Sequence, residues 1–171
     1  MKKLRKIIIL LVIVIFISSC EKKEYRCVDT TNDKSYTMTD TYSNQWYSIS
    51  YPLNWITEEV NNQSMDVAIG KKNGDIVLSI LHIPTDYSLP EINNMGNEDL
   101  RKAGARILSN KKKVINGRSC YVTEIYLYQK QVSYIFKENG MMYNIKFTSP
   151  NNWMDNNKEE INKIIQSFKI K

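Results

Sequence analysis

Three hydrophobic patterns follow one another along this chain. An unbroken apolar run from Ile7 to Ile17 comes first. Within Tyr47 to Tyr51, large apolar residues then alternate with serine, which is typical of a strand with one buried face. Near the end of the chain, Ile161, Ile164, Ile165 and Phe168 recur at spacings of three and four residues, which is typical of an amphipathic helix. The chain therefore combines strands and helices behind a hydrophobic leader.

Three Asn-Gly pairs predict hairpins in the middle of the chain: Asn73-Gly74, Asn116-Gly117 and Asn139-Gly140. Both residue types accept the positive φ that the tightest hairpin turns require. The predicted pairs of strands are Met65 to Lys72 with Asp75 to Ile83, Lys112 to Ile115 with Arg118 to Tyr128, and Val132 to Glu138 with Met141 to Thr148. Trp55 to Val60 predicts a further strand. The sheet is therefore expected to be mostly antiparallel.

Two helices are predicted to cover this sheet. The first begins at Asn97, where Glu98 and Asp99 favour the positive end of the helix dipole. Its apolar stripe is predicted to be Leu100, Ala103, Gly104, Ile107 and Leu108. The second is Trp153 to Phe168, with Ile161, Ile164, Ile165 and Phe168 on one stripe. The fold class is α+β, an antiparallel sheet of hairpins layered with helices.

The leader has the parts of an export signal. Basic residues precede an apolar run that is short for a membrane span, which needs roughly 20 residues. Ser18-Ser19-Cys20 then resembles the bacterial lipobox, which implies that Cys20 carries lipid, palmitate among its acyl chains, and becomes the first mature residue. An uncleaved signal anchor, or a secretory signal with an incidental cysteine, remains the alternative.

The expected organisation has three parts. Residues 1–19 form the signal peptide, residues 20–44 the lipidated cysteine and a polar tether, and residues 45–171 one folded domain. Part of Tyr36 to Tyr42 can still pair as an edge strand, because threonine and tyrosine alternate there. The chain is expected outside the cytoplasm, anchored in the cell membrane or the outer membrane.

Charge argues against nucleic-acid binding. The chain has 24 basic and 18 acidic residues. Four of the basic residues and none of the acidic ones lie in the signal, which leaves 20 against 18 and a net charge of +2. A nucleic-acid partner is therefore not expected, because it selects a concentrated basic surface.

Two cysteines remain once Cys20 is lipidated. Cys27 and Cys120 form a disulfide in one interpretation, since an extracytoplasmic compartment lets disulfides persist. In the other, Cys120 is a buried thiol within an apolar strand and Cys27 an exposed thiol of the tether.

Two short motifs resemble the PsbP-like proteins. Tyr47-Ser48-Ile49-Ser50-Tyr51-Pro52-Leu53-Asn54-Trp55 is similar to the opening of their domain, and Ile164-Ile165-Gln166-Ser167-Phe168 is similar to their closing helix. The resemblance covers about Trp46 to Lys171 and implies the Mog1p/PsbP-like fold, an antiparallel sheet between helical layers. It also implies an accessory or binding role, and it carries over no catalytic residue.

The sequence offers few groups for chemistry. His82, the single histidine, is interpreted as a core or rim residue, and a nucleophilic pair with Cys120 is the enzymatic alternative. No spacing predicts a metal or cofactor site, so none is assigned. Tyr126 and Tyr128 share a predicted strand face with Glu124, which makes them either core residues or a binding face.

The expected function is therefore not enzymatic. The domain is predicted to bind an unknown envelope protein or to maintain an envelope complex, held near its partner by the lipid anchor. Two alternatives stay open: a small-ligand or carbohydrate-binding lipoprotein, and a cysteine-dependent envelope hydrolase.

Overall fold

A computed structural model describes residues 38–62, 65–71, 74–150 and 152–171. In chain order, its strands and helices are β1 (Met38–Ser43), β2 (Tyr47–Pro52), β3 (Trp55–Asn62), β4 (Met65–Lys71), β5 (Val77–Pro84), α1 (Leu89–Lys102), β6 (Arg106–Ile115), β7 (Arg118–Leu127), β8 (Gln129–Glu138), β9 (Met141–Ser149), α2 (Trp153–Asn156), α3 (Lys158–Ser167) and β10 (Lys169–Ile170). The predicted α+β class is confirmed.

Seven strands form the large sheet, in the order β3-β4-β5-β9-β8-β7-β6, and all neighbours are antiparallel. The Asn-Gly turns close two of its hairpins as predicted. Asn116 and Gly117 have φ of 51° and 76°, and Asn139 and Gly140 have φ of 50° and 74°. β4 and β5 pair as the third predicted hairpin, although Asn73 lies outside the described residues.

The small sheet has the order β1-β2-β10. β2 alternates as the sequence predicted, because Tyr47, Ile49 and Tyr51 are buried while the two serines between them are half-buried. β1 pairs with β2 in antiparallel register. Residues Met38–Ser43 therefore form an edge strand of the small sheet, as the sequence allowed, although it assigned them to the tether.

The two faces of the large sheet are covered by different layers. The small sheet and α3 cover one face, and their side chains join those of the large sheet in the main core. Members of this core include Ile49, Ile80, Phe147, Ile164 and Phe168. Helix α1 covers the other face through two smaller clusters, one around Ile92 and one beside Leu100.

The first helix differs from its prediction. α1 begins after Ser88, whose hydroxyl accepts from the Glu91 backbone while the Glu91 carboxylate accepts from the Ser88 backbone. This capping box satisfies two helix-end donors, and Pro90 favours a first turn. Asn97 is therefore a buried residue inside the helix and not its cap.

Gly104 ends α1 earlier than predicted. It has φ of 83°, and the backbone N–H of Ala105 donates to the carbonyl of Leu100, as in a Schellman ending. Ile107 and Leu108, which were assigned to the helical stripe, instead lie in β6. Their apolar spacing was compatible with a helix, but the glycine turn separates them from it.

The second predicted helix is divided at Asn157 into α2 and α3. Its predicted stripe is confirmed, because Ile161, Ile164, Ile165 and Phe168 are all buried. Glu160 is only 1% exposed, although glutamate in a protein is seldom fully buried. Neither Glu160 Oε2 nor Trp55 Nε1 has a hydrogen-bond partner among the described residues. Burial raises the pKa of Glu160, and the positive charge of Lys71 opposes this rise.

Candidate functional surface

Tyr126 and Tyr128 project from the end of the β7–β8 hairpin, where they are 53% and 82% exposed. Tyr126 lies in β7 between Arg106 of β6 and Lys130 of β8. Tyr128 lies beyond β7, in the turn between the paired residues Leu127 and Gln129. The structure therefore places both rings at the surface, although only Tyr126 has the predicted strand position.

Tyr128 has an unusual backbone conformation. Its φ is 58°, in the left-handed region that bulky residues rarely adopt. Such a conformation is of order 1 kcal/mol less favourable for a residue with a side chain, and it persists only where its surroundings impose it. The turn thus holds an exposed aromatic ring at a position that glycine or asparagine would occupy with less strain.

Lys130 fixes the hairpin against the layer beneath it. Its Nζ lies 2.7 Å from Glu124 Oε1 and 2.6 Å from Asp155 Oδ1. Burial acts to lower the pKa of Lys130, but the hydrogen bonds to Asp155 and Glu124 raise it overall. The ammonium therefore stays charged and links β7 and β8 to α2. This network holds the base of the surface formed by Tyr126 and Tyr128.

His82 belongs to a second polar group that the sequence did not predict. Its Nδ1 lies 2.7 Å from Asp66 Oδ2, and Tyr47 donates to the same carboxylate oxygen at 3.0 Å. A carboxylate only accepts, so we assign the proton to Nδ1. Burial, and then the charge of Asp66, raise the pKa of the Tyr47 hydroxyl.

Aromatic rings surround this histidine. The Trp46 ring centroid lies 5.4 Å from that of His82, and Tyr143 stacks against it at 6.3 Å. Trp46 and Tyr47 come from the small-sheet segment, whereas His82 and Asp66 come from the large sheet. The His82 group therefore joins the two sheets, as a rim histidine does.

Cys120 and His82 do not form a nucleophilic pair. His82 pairs with Tyr143, Tyr143 with Phe136, and Phe136 with Cys120, so the two groups are three strands apart. At about 4.8 Å per strand, the separation is roughly 14 Å. Cys120 is fully buried, and burial raises its thiol pKa, which disfavours the thiolate. The hydrolase alternative therefore lacks its proposed dyad.

The other cysteine predictions concern Cys20 and Cys27, and both of these lie outside the described residues. Cys120 itself lies buried in β7 and forms no disulfide with another described residue. This agrees with the interpretation as a core thiol, and pairing with Cys27 stays a prediction.

In the described ranges there is no cluster of three or more histidine, cysteine or acidic residues suited to a metal. No helix in these ranges has the length and apolarity of a membrane span.

These features define an antiparallel α+β domain with a packed interior and an exposed tyrosine pair. Comparison with solved structures identifies the fold as Mog1/PsbP-like. The cyanobacterial PsbP protein (CyanoP) of Synechocystis sp. PCC 6803 superimposes with a TM-score of 0.63 at 14% identity, over 83% of this chain and 98% of that one. The fold implied by the sequence resemblance is therefore confirmed.

Two further structures share the fold. LpqN of Mycobacterium tuberculosis, described as involved in cell envelope biogenesis, gives a TM-score of 0.53 at 11% identity, over 72% of this chain and 82% of that one. A point mutant of Mog1 gives 0.51 at 14% identity, over 72% and 90%. No family model matches the chain, and no curated protein sequence matches it. At these identities the similarity extends to the fold alone.

Proposed function

We propose that this chain is a lipid-anchored extracytoplasmic protein whose domain binds a protein partner through Tyr126 and Tyr128. The observation that carries the proposal is Tyr128, an 82% exposed ring on a left-handed turn. Tyrosine is enriched where proteins bind one another, because a rigid ring gives a large contact area with a polar tip. Strained backbone is also more frequent at functional positions.

The anchor is the second part of the proposal. The lipobox-like Ser18-Ser19-Cys20 sequence supports it, and the envelope role of LpqN, a protein with the same fold, is compatible with it. Confining the domain to a membrane raises its effective concentration near membrane partners. Intact-mass analysis of the native protein should give a chain that begins at Cys20 and carries acyl groups. Cys20→Ala should move the protein to the soluble fraction, and a chain that keeps Met1 without lipid would exclude the anchor.

Partner binding is tested with the double variant Tyr126→Ala/Tyr128→Gly in the full chain. Glycine accepts the left-handed turn, so the variant removes the rings without forcing the backbone. The matched control is Leu53→Ala/Ile56→Ala. These apolar side chains are 70% and 51% exposed, in the β2–β3 turn and in β3, the strand at the other end of the sheet order. Envelope proteins crosslinked to each form are compared by quantitative mass spectrometry.

We expect a specific set of crosslinked proteins to fall about tenfold or more in the tyrosine variant, as truncation of a hot spot of about 1.4 kcal/mol or more would cause. The same set should be retained by the control variant. Equal recovery from the tyrosine variant and the wild type, with unchanged circular dichroism, would contradict the proposed binding surface.

A further inference from the structure

Basic residues are concentrated in one segment of this chain. From Arg101 to Arg118 there are seven basic residues and no acidic one: Arg101, Lys102, Arg106, Lys111, Lys112, Lys113 and Arg118. Of the 20 basic residues after the signal, 13 therefore remain elsewhere, against all 18 acidic ones. The segment carries +7 and the rest of the mature chain −5. The small net charge of the whole chain conceals this separation.

The segment follows one edge of the large sheet. It starts in the last turn of α1, continues along β6 and ends just after the β6–β7 turn. β6 is the last strand in the sheet order, so no strand in the described ranges pairs with its outer side. Lys111 and Lys113 pair with Val122 and Cys120, whereas Lys112 pairs with Tyr121. Successive lysines alternate between the faces, so their long side chains surround the edge.

Most of this charge is not compensated by neighbouring acids. Lys102 Nζ lies 3.6 Å from Asp99 Oδ1, and Arg118 Nε lies 2.5 Å from Glu138 Oε2. The other five, Arg101, Arg106 and Lys111 to Lys113, are exposed and form no ion pair with the described residues. A surface with five such cations attracts an extended array of negative charge.

Exposed aliphatic residues lie among these cations. β6 has a bulge at Leu108, which leaves this residue out of the register and 40% exposed. Val114, next to the three lysines, is 69% exposed. Cations combined with exposed aliphatic side chains suit a bilayer surface, where lipid phosphates meet the first methylenes.

We propose that the basic edge, defined as Arg101 to Arg118, lies on the anionic phospholipid surface of the membrane that holds the chain. This rests on the membrane attachment in the proposed function. An edge-on orientation directs the lysines of both sheet faces toward lipid phosphates. It also covers the unpaired side of β6, which would otherwise be open to other strands.

The test uses the full chain reconstituted in vesicles of phosphatidylcholine alone or of phosphatidylcholine with phosphatidylglycerol. A water-soluble amine reagent labels the lysines, and mass spectrometry reads each site. We expect labelling of Lys111 to Lys113 to fall about fivefold in the anionic vesicles, equivalent to about 1 kcal/mol per residue. The exposed lysines Lys158, Lys163 and Lys169 should not change. High salt should restore the labelling, because it screens charges at the surface.

Two variants with the same change in net charge make the test specific. On anionic vesicles, we expect the membrane to protect Arg106 of the wild type from trypsin. In Lys111→Gln/Lys112→Gln/Lys113→Gln, trypsin should cleave at Arg106 as fast on anionic vesicles as on neutral ones. Lys158→Gln/Lys163→Gln/Lys169→Gln should keep the protection of Arg106. Loss of protection in both variants would indicate a response to total charge and would overturn the proposal.

Other outcomes separate this proposal from the proposed function. Flotation with both kinds of vesicle but equal lysine labelling would overturn the basic edge and leave the anchor standing. Flotation with anionic vesicles alone would support the basic edge and contradict the anchor. Protection that appears on neutral vesicles and rises with protein density would show pairing between copies along β6, which also overturns the lipid assignment.

Discussion

The two faces of the large sheet are built by different interactions. The face covered by the small sheet and α3 belongs to a hydrophobic core that has 21 buried members among the described residues. The face covered by α1 has two clusters of three buried apolar residues each, and polar residues lie between them. The main core therefore supplies most of the apolar burial, while hydrogen bonds have a larger part in positioning α1.

A cross-strand row shows this difference on the α1 face. Ser79, Lys146, Ser133, Thr123 and Asn110 are paired in succession across β5, β9, β8, β7 and β6. The neighbouring row on the main-core face contains Ile80, Ile145 and Tyr134. Asn110 Nδ2 donates to Asn93 Oδ1 of α1 at 2.7 Å and to Thr123 Oγ1 at 2.6 Å. Hydrogen bonds of this kind fix the position of a helix more specifically than apolar contact does.

Substitutions at Ile80 and Leu81 allow the most direct comparison of packing on the two faces, because these residues are adjacent in β5 and point to opposite sides of the sheet. Ile80 is fully buried in the main core, and Leu81 is 3% exposed beneath α1. We expect Ile80→Ala to lower the free energy of unfolding by about 4 kcal/mol and Leu81→Ala by about 2 kcal/mol. The half-buried neighbours of Leu81 are better able to move into the space left by truncation. Denaturant unfolding of both variants checks this, and equal losses would mean that the faces are equally tightly packed.

The polar network gives the next largest effect. Asn110→Ala leaves Asn93 Oδ1 and Thr123 Oγ1 without this donor beneath α1, and we expect a loss of about 1–3 kcal/mol. Asn94→Ala is the matched control, because Asn94 is an exposed residue of the same helix and should change stability by less than about 0.5 kcal/mol. Hydrogen exchange in α1 should increase in Asn110→Ala. If α1 stays as protected as in the wild type, the network does not position the helix.

Local signals predicted much of this fold. The Asn-Gly turns and the alternation in β2 were correct because each depends on a few neighbouring residues. The start of α1 was missed, although Ser88, Pro90 and Glu91 carried a capping signal, because Asn97 with two following acids looked equally suitable. Gly104 was likewise available as a stop signal.

The candidate site was harder to predict, because it depends on contacts between elements that lie far apart in the sequence. Tyr126 was placed on its strand face, but no local pattern indicated whether that face would be covered. The contact of His82 with Asp66 depends on how two strands and the small sheet meet, which no spacing specifies. Nothing in the local sequence indicates that Glu160 is buried, because its burial arises only when the helix packs on the domain. The basic edge was readable in the sequence, but averaging the charge over the whole chain hid it.

Ionisable groups extend the comparison, because burial shifts the pKa of Glu160 on one side of the large sheet and that of Lys146 on the other. Glu160 lies on the main-core side, and burial raises its pKa above the ordinary value of 4.5. The folded state then holds its proton more tightly than the unfolded state does. Tighter proton binding by Glu160 therefore stabilises the folded state. This stabilisation is complete below pH 4.5 and is lost as the pH rises through the pKa of Glu160 in the folded state. We expect Glu160→Gln to remove this loss, whereas exposed Glu159→Gln should keep it. Denaturant unfolding across that range measures the difference, and parallel curves for Glu160→Gln and the wild type would contradict the burial effect.

Lys146 on the α1 side should respond in the opposite direction. Burial lowers its pKa from 10.5 to about 7, so the unfolded state holds the proton more tightly between these values. Stability should therefore rise from pH 7 toward pH 10.5 as the folded state sheds its proton. Because Lys146 is only half-buried by area, we expect this slope to stay below that of one full proton. Lys146→Met should flatten the rise, while Lys112→Met, an exposed lysine on β6, should keep it. The difference between variant and wild type also removes the tyrosine titrations that both share. A rise that persists in Lys146→Met would mean that other groups cause it, which would contradict the effect of burial on Lys146.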